Sequence, residues 1–335
     1  MTAIVFRDTD LCTHEIAGTL SHHFHPGEAV ECDAQALACA GGCVVCIGPL
    51  YVRFEQVTFD NCTIVALRGA QVDLDGCTSR WKGDNGAGIS LFGSGHGTVI
   101  RVKGGSVTGG KQAAAIRDYV SIQASQWKVM KSTLRGVDVV GRGSSITMHE
   151  CELVVGTRMR PSHAVLVKEE DRLDVTDSKI MGGKQGVTVC RSTAVMLNRC
   201  EVKGASKDGF LIRFAGSAYL NDCTVHSVVK GSGVKVRGTD SHPRSFAYDK
   251  RVKSLSFLKL TFLKLTEVKM KNCTVKDCNN GIIADNGAKL ECRECLVKGN
   301  SFGVSTEYTG IRRGPYSKVL LQDCELENEA NLLDL

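Results

Sequence analysis

Residues 195–202 read VMLNRCEV, and residues 268–275 read VKMKNCTV. Both octets have the order apolar, any residue, apolar, two polar or small residues, cysteine, any residue, apolar. The pattern occurs eleven times along the chain, and a cysteine occupies its central position in eight of the copies. A fixed period of this kind is the sequence signature of stacked structural repeats.

The central positions of the octets are predicted to form one inward column. Apolar residues at alternate positions put one face of a strand inward, and the polar pair before the central residue shifts that alternation by one residue. The chain is therefore predicted to bend at the pair and to bury the residue that follows. The column consists of Cys62, Cys77, Gly105, Ser125, Cys151, Ser178, Cys200, Cys223, Cys273, Cys295 and Cys324.

A second motif begins with a small residue and predicts another strand in each turn. It reads glycine or alanine, apolar, any residue, apolar, as at Gly209 and Gly233, and it follows the central position by 8 to 13 residues. Glycine permits the tight corner that a β-branched residue would resist. Two or three short strands per turn, stacked in register, predict an all-β fold, a right-handed parallel β-helix of about 10–11 coils.

The same pattern predicts how the chain is organised. We expect an N-terminal cap and first strands at 1–50, the parallel β-helix at 51–326, and a short helical C-terminal cap at 327–335. The interval from Cys223 to Cys273 is too long for one turn. It holds the basic segment 238–266, which we interpret as either an insertion or a degenerate coil.

The cysteines are interpreted as structural, because a buried free thiol behaves as a small apolar side chain. The chain has sixteen cysteines, and Met1–Glu15 lacks the apolar core of a signal peptide. Free thiols in a leaderless chain are typical of a reducing compartment, so a cytoplasmic location is predicted. The uncharged stretch 36–52 contains glycine and proline and is interpreted as a buried strand, so no membrane association is predicted.

The repeats resemble the PbH1-type repeats of right-handed parallel β-helices in the pectin-lyase-like superfamily, over residues 52 to 326. One branch of that superfamily comprises secreted polysaccharide lyases, hydrolases and epimerases. Another resembles the intracellular β-helix segments of F-box-only and SHC-binding proteins, and the cysteine-centred octets are more similar to this second branch. That resemblance implies a solenoid that binds partners.

Outward residues on successive turns are the predicted positions for catalytic side chains. Glu152, Lys179 and Glu201 each follow a central position, on three successive predicted turns, and Asp174 is nearby. Opposite charges on adjacent strands stabilise a sheet modestly, which favours a charge ladder over an active site. These four residues are nevertheless the only candidates for catalysis.

The candidate metal ligands are at the N-terminal end, where His22, His23, His25 and Cys32 are close in sequence. Structural zinc commonly uses paired cysteines or histidines. The nearby pair Cys43 and Cys46 encloses two valines, which disfavour the tight turn of a zinc knuckle. No metal and no cofactor is therefore predicted, and these residues are the weak candidates for zinc.

The sequence favours a non-catalytic β-solenoid that acts as a protein-interaction or scaffolding module. A protein or filament partner is expected, and a glycan is the alternative ligand. The predicted contact residues lie in the basic segment: Arg244, Lys250, Arg251, Lys253, Lys259 and Lys264. Net charge is +6 without a concentrated arginine tract, which argues against nucleic acid. The competing interpretation is a polysaccharide-active enzyme or carbohydrate-binding protein of the pectin-lyase-like superfamily.

Overall fold

The chain folds into β-strands in two compact units, Met1–Lys184 and Gln185–Leu335. The computed structural model describes residues 2–7, 29–32, 38–49, 51–81, 89–132, 135–140, 142–156, 163–168, 171–191, 194–213, 217–238, 266–307 and 317–334.

The described residues of the first unit form nineteen strands, which pair in parallel with strands one turn away. They are β1 Thr2–Arg7, β2 Ala29–Cys32, β3 Ala38–Ile47, β4 Tyr51–Glu55, β5 Thr58–Leu67, β6 Gln71–Asp75, β7 Thr78–Arg80, β8 Ile89–Ser94, β9 Thr98–Lys103, β10 Ser106–Thr108, β11 Gln112–Ile116, β12 Val120–Ser125, β13 Lys128–Ser132, β14 Arg135–Val140, β15 Ser145–His149, β16 Glu152–Val155, β17 His163–Lys168, β18 Arg172–Thr176 and β19 Lys179–Gly182.

In the second unit, sixteen strands with the same kind of parallel pairing are found among the described residues. They are β20 Gln185–Cys190, β21 Ala194–Asn198, β22 Glu201–Lys203, β23 Asp208–Arg213, β24 Ser217–Asn221, β25 Thr224–His226, β26 Ser232–Arg237, β27 Glu267–Lys271, β28 Thr274–Lys276, β29 Asn280–Asp285, β30 Lys289–Arg293, β31 Leu296–Lys298, β32 Phe302–Glu307, β33 Lys318–Gln322, β34 Glu325–Glu327 and β35 Ala330–Asp334.

A turn of this parallel β-solenoid consists of three strands, which we call the first, second and third strand of the turn. In the second unit the second strands are β22, β25, β28, β31 and β34. The described strands form about nine turns, fewer than the 10–11 predicted.

Each turn bends where one residue adopts the left-handed conformation between the first and second strands. Asp222, Asn272 and Glu294 have φ values of 52°, 51° and 53°. The residue that follows is buried, as at Cys223, which is 1 % exposed. The bend predicted at the polar pair is therefore confirmed, and its physical basis is a single residue in the αL region.

The prediction of the inward column is wrong at two of its members, Cys62 and Ser125. The register Thr58↔Thr78 and Ser106↔Lys128 places Val57 and Trp127, not Cys62 and Ser125, next to the other members. Cys62 follows a different corner, at Asn61 with φ 51°, inside β5. Trp127 is 2 % exposed, so this column accepts a side chain far larger than cysteine.

The predicted helical cap at 327–335 is also wrong, because the chain continues as β34 and β35. Residues Ala330 and Leu332 pair in parallel with Phe302 and Val304 of the preceding turn. Backbone pairing with that open strand edge outweighs the helical tendency of the sequence, since unpaired strand groups are costly.

The long interval after Cys223 does not insert a turn between its neighbours. Thr224 pairs directly with Thr274, and Ser217 with Glu267, so the turns on both sides of the interval are adjacent. Residues 239–265, which make up nearly all of the basic segment, lie outside the described residues.

Buried thiols line the interior of the second unit at the first corner, which is the bend between the first and second strands of each turn. Side-chain hydrogen bonds join Cys223 to Cys200 and Cys273, and Cys273 to Cys295. The thirteen cysteines whose side chains the structure describes are free thiols. Burial raises the pKa of Cys278 to about 11, so this thiol stays protonated at neutral pH and is a poor nucleophile.

Candidate functional site

The predicted catalytic residues of the first unit do not share one kind of strand. Glu152 and Lys179 lie on second strands, and Asp174 lies on a first strand. Glu152 and Lys179 are register partners on β16 and β19, and Lys128 is the partner of Glu152 on its other side. The three charges alternate in sign, which stabilises adjacent strands. Asp174 lies instead on β18, a first strand, where its Oδ2 atom is 3.6 Å from Nη2 of Arg172.

The fourth candidate, Glu201, belongs to the second unit and has a histidine partner. Its Oε1 atom lies 2.7 Å from Nε2 of His226, one turn further along. The His226 side chain is 13 % exposed and that of Glu201 is 36 % exposed. Nδ1 of His226 lies 3.2 Å from the hydroxyl of Ser227. A carboxylate on one ring nitrogen and a hydroxyl on the other orient the ring for proton transfer.

His226 is one of four basic residues in register on the second strands of this unit. Lys203 pairs with His226, His226 with Lys276, and Lys276 with Lys298. We call Lys203, His226, Lys276 and Lys298 the basic column. The next turn continues the line with an acidic residue, because Glu327 is the register partner of Lys298. In the described part of the chain no ion pair joins an acidic side chain to Lys203, Lys276 or Lys298.

The basic column is electrostatically unfavourable by itself. Parallel strands are about 4.8 Å apart, and like charges directly opposite each other destabilise a sheet. In the first unit, the equivalent place on β7 is Arg80, and the places from β10 to β19 are Thr108, Met130, Val154 and Met181, which carry no charge. Among the described strands the run of four successive basic residues is thus found in the second unit, and it suits an anionic ligand.

Hydroxyl groups lie beside the basic column. Thr224 and Thr274 are register partners two residues before His226 and Lys276, and both are half-buried. A hydroxyl both donates and accepts hydrogen bonds. The arrangement therefore offers a row of cations flanked by groups that can bind alcohols.

The sequence contains a signal for this column beyond the central cysteines. Four of the octets continue as CEVK, CTVH, CTVK and CLVK, so a basic residue stands three places after Cys200, Cys223, Cys273 and Cys295. The predicted catalytic residues Glu152, Lys179 and Glu201 all stand directly after a central position instead. The third residue points outward as well, because it lies two positions further along the same strand.

Two other predicted sets lie outside the described residues. Arg244, Lys250, Arg251, Lys253, Lys259 and Lys264, and likewise His22, His23 and His25, are among them, as is the side chain of Cys32. Among the residues that are described, no three His, Cys, Asp or Glu side chains are placed to hold a metal ion. No helix in the described ranges is long and apolar enough to cross a membrane.

Comparison with known proteins agrees with this architecture. Residues 163–326 match the family model described as right handed beta helix region. The fold is a right-handed parallel β-helix. The predicted resemblance to pectin-lyase-like β-helix proteins is confirmed at the level of the fold, and the intracellular branch stays a prediction. No curated protein sequence matches the chain.

Two solved structures are similar to the chain, and the likeness of the first is one of fold. A point mutant of the periplasmic alginate epimerase AlgG superimposes with a TM-score of 0.57 at 11% identity, covering 91% of this chain and 73% of that chain. AlgG itself gives a TM-score of 0.48 at 10% identity, covering 92% and 86%. The predicted cytoplasmic location is contradicted, because the structure with a TM-score of 0.57 is named a periplasmic protein.

Proposed function

We propose that the protein binds an acidic polysaccharide along the basic column of its second unit. The observation that carries the proposal is the register of Lys203, His226, Lys276 and Lys298 on four successive turns. Like charges at this spacing repel one another, and an anionic polymer lying across the strands would relieve the repulsion.

A polysaccharide suits the column better than a compact anion does. Charges that repeat at about 4.8 Å along one line match an extended ligand with a regular repeat, such as a polymer carrying one carboxylate per sugar. Lysine ammonium groups bind carboxylates as point charges without a fixed orientation. The hydroxyls of Thr224 and Thr274 are placed to bind sugar hydroxyls.

The comparisons support a ligand of this class without deciding it. The structure with a TM-score of 0.57 is named an alginate epimerase, and alginate is a uronic-acid polymer. At 11% identity that likeness concerns the fold. The proposal carries an extracytoplasmic location with it, which fractionation of the native cells would test.

Binding of defined polymers tests the proposal. Isothermal titration with alginate and polygalacturonate, against neutral dextran, should show affinity for the acidic polymers only. The affinity should fall as salt is raised, since exposed charges are screened. The same preparations should be assayed for unsaturated products and for epimerised sugars, which would add an enzymatic step to binding.

Matched variants locate the binding site. Lys276→Gln and Lys298→Gln should each weaken binding of the acidic polymers severalfold. The controls Lys128→Gln and Lys179→Gln change lysines on second strands of the first unit and should not. Equal affinity for dextran and alginate, or equal effects of all four substitutions, would contradict the proposal. Capture of a specific protein partner by the unaltered chain, with no polymer binding, would instead favour the scaffold prediction.

A further inference from the structure

A second chemistry is present at the middle of the basic column, where His226 has side-chain partners on both ring nitrogens. Nε2 is 2.7 Å from Oε1 of Glu201, and Nδ1 is 3.2 Å from Oγ of Ser227. A neutral imidazole with its proton on Nε2 satisfies both contacts: Nε2–H donates to the carboxylate, and Nδ1 accepts the hydrogen bond of the serine hydroxyl.

This order of groups is that of an activated serine nucleophile. The hydroxyl is within hydrogen-bond reach of a base, and the base is oriented by a carboxylate on its far side. Such a set is recognised by geometry and roles and not by the order of its members in the sequence. In the known serine–histidine–aspartate triad the serine contacts Nε2 and the carboxylate contacts Nδ1, whereas here the two nitrogens are exchanged. The proton still passes from the serine hydroxyl to the imidazole.

The backbone places Ser227 on a sharp corner. Ser227 directly follows strand β25 and has a φ of 58°. Gly204, Asp277 and Gly299 occupy the equivalent corner of other turns, with φ values of 66°, 52° and 63°, so the left-handed conformation belongs to the corner and not to Ser227 alone. Serine adopts this conformation at a cost that glycine does not have. Nucleophilic serines are also presented on sharp turns that follow a strand.

We propose that Ser227, His226 and Glu201 form an ester-hydrolysing site that removes O-acyl groups from the bound polysaccharide. The choice of substrate rests on the proposed function; the site itself rests on the side-chain geometry. Ser227 and His226 act on the ester as catalytic residues. Glu201 is a positioning residue, because it acts through the imidazole.

The reaction requires only water as a co-reactant. Oγ of Ser227 bonds to the acyl carbon while its proton passes to Nδ1 of His226. The bond from the acyl carbon to the sugar oxygen then breaks, and that oxygen takes the proton from His226. Water, deprotonated by the same nitrogen, attacks the acyl-serine, releases the carboxylic acid and restores the free hydroxyl.

The lysines of the basic column suit the charge that develops in this reaction. Lys203 and Lys276 are the register partners of His226 on the two adjacent turns. A tetrahedral oxyanion beside Ser227 would form among cations, which stabilise the transition state more than the neutral ester. The same lysines that bind carboxylates of the polymer would thus assist hydrolysis.

The experiment uses the full chain and a fluorophosphonate probe, which labels activated serines covalently, followed by peptide mass spectrometry. Labelling should be found at Ser227 and should be absent from His226→Gln. Hydrolysis of p-nitrophenyl acetate should fall at least about 100-fold in Ser227→Ala and in Ser227→Gly. Glycine suits the corner conformation, so Ser227→Gly guards against misfolding.

The controls separate this site from the polymer-binding proposal. Ser301→Ala changes another half-buried serine of the second unit and should leave both labelling and hydrolysis unchanged. Glu201→Gln should slow hydrolysis and alter its pH profile, which a purely structural contact would not do. Because labelling is measured without polysaccharide, absence of label from Ser227 would overturn the esterase proposal whatever the polymer result is.

Discussion

Oε1 of Glu201 accepts a hydrogen bond across 2.7 Å from Nε2 of His226, although the two residues are 25 positions apart in the sequence. The contact places one carboxylate beside four basic residues that are in register. Glu201 therefore reduces the positive potential of the basic column while it orients its central imidazole. A single substitution at this residue should have opposite effects on the two proposed activities.

Glu201→Gln is expected to tighten binding of alginate while it slows ester hydrolysis. Removing one negative charge next to the column should raise affinity roughly twofold to fivefold, the effect of an exposed ion pair. Titration calorimetry at low salt measures this, and Glu152→Gln in the first unit is the control. Weaker binding in Glu201→Gln would show that the carboxylate itself contacts the polymer.

Two glycines with positive φ should differ in their tolerance of alanine. At Gly105, φ is 74° and a β-carbon would overlap the carbonyl oxygen of Cys77; at Gly204, φ is 66° and nothing lies within 4 Å. Gly204→Ala should cost about 1–2 kcal/mol, the penalty of the left-handed conformation. Gly105→Ala should cost clearly more, because the backbone of the neighbouring turn must move. Urea denaturation compares them; equal losses would contradict the register.

Cys200 tests the buried first corner of the second unit. It is 2 % exposed, and its thiol hydrogen-bonds to Cys223. Cys200→Ala should cost about 1 kcal/mol, since it leaves a small cavity. Cys200→Arg should prevent folding, because it buries an unpaired charge. Circular dichroism and gel filtration are sufficient measurements. A folded Cys200→Arg protein would show that the side chain points outward.

Trp127 provides a probe of the same corner in the first unit. It is 2 % exposed and is one of only two tryptophans in the chain. Trp127→Ala should destabilise the unit by about 3–5 kcal/mol and Trp127→Phe by less, since phenylalanine leaves a smaller cavity. Blue-shifted emission from Trp127 should be lost on unfolding. Red-shifted emission in the native protein would contradict its burial.

The ion pair between Lys289 and Glu267 should shift the measured pKa values of both groups and should contribute little to folding stability. The Lys289 ammonium lies 2.9 Å from Oε1 of Glu267, and this hydrogen bond lowers the pKa of Glu267 and raises the pKa of Lys289. The contribution of the Glu267 carboxylate to folding stability is present above its unfolded pKa, and it is lost as pH falls through the lowered pKa of the folded state. The contribution of the Lys289 ammonium to folding stability is present below its unfolded pKa, and it is lost as pH rises through the raised pKa of the folded state.

Lys289→Gln is therefore expected to raise the pKa of Glu267 toward its ordinary value. Carbon-detected NMR of the glutamate carboxyl measures that shift. Thermal stability at neutral pH should hardly change, because both groups are exposed and surface pairs stabilise little. A large drop in melting temperature would mean that the pair holds the strands β27 and β30 together.

The sequence predicted the parallel β-helix because burial in a repeat is periodic, and it predicted the bend before Cys223 correctly. It misplaced Cys62 because Asn61 forms a second kind of corner with the same left-handed residue before a buried one. The octet cannot distinguish those two corners. Ser125 was misplaced because Trp127, the true member, is too large for the volume limit that was assumed.

Local patterning by itself determined the strands, the corners and the inward side chains, since these depend on residues close together in the chain. Tertiary structure alone decided which outward side chains meet. Glu201, His226 and Lys276 belong to three separate turns, and the length of each loop sets their register. The stacking of turns brings them within about one strand spacing of their neighbours, a relationship that no local pattern specifies.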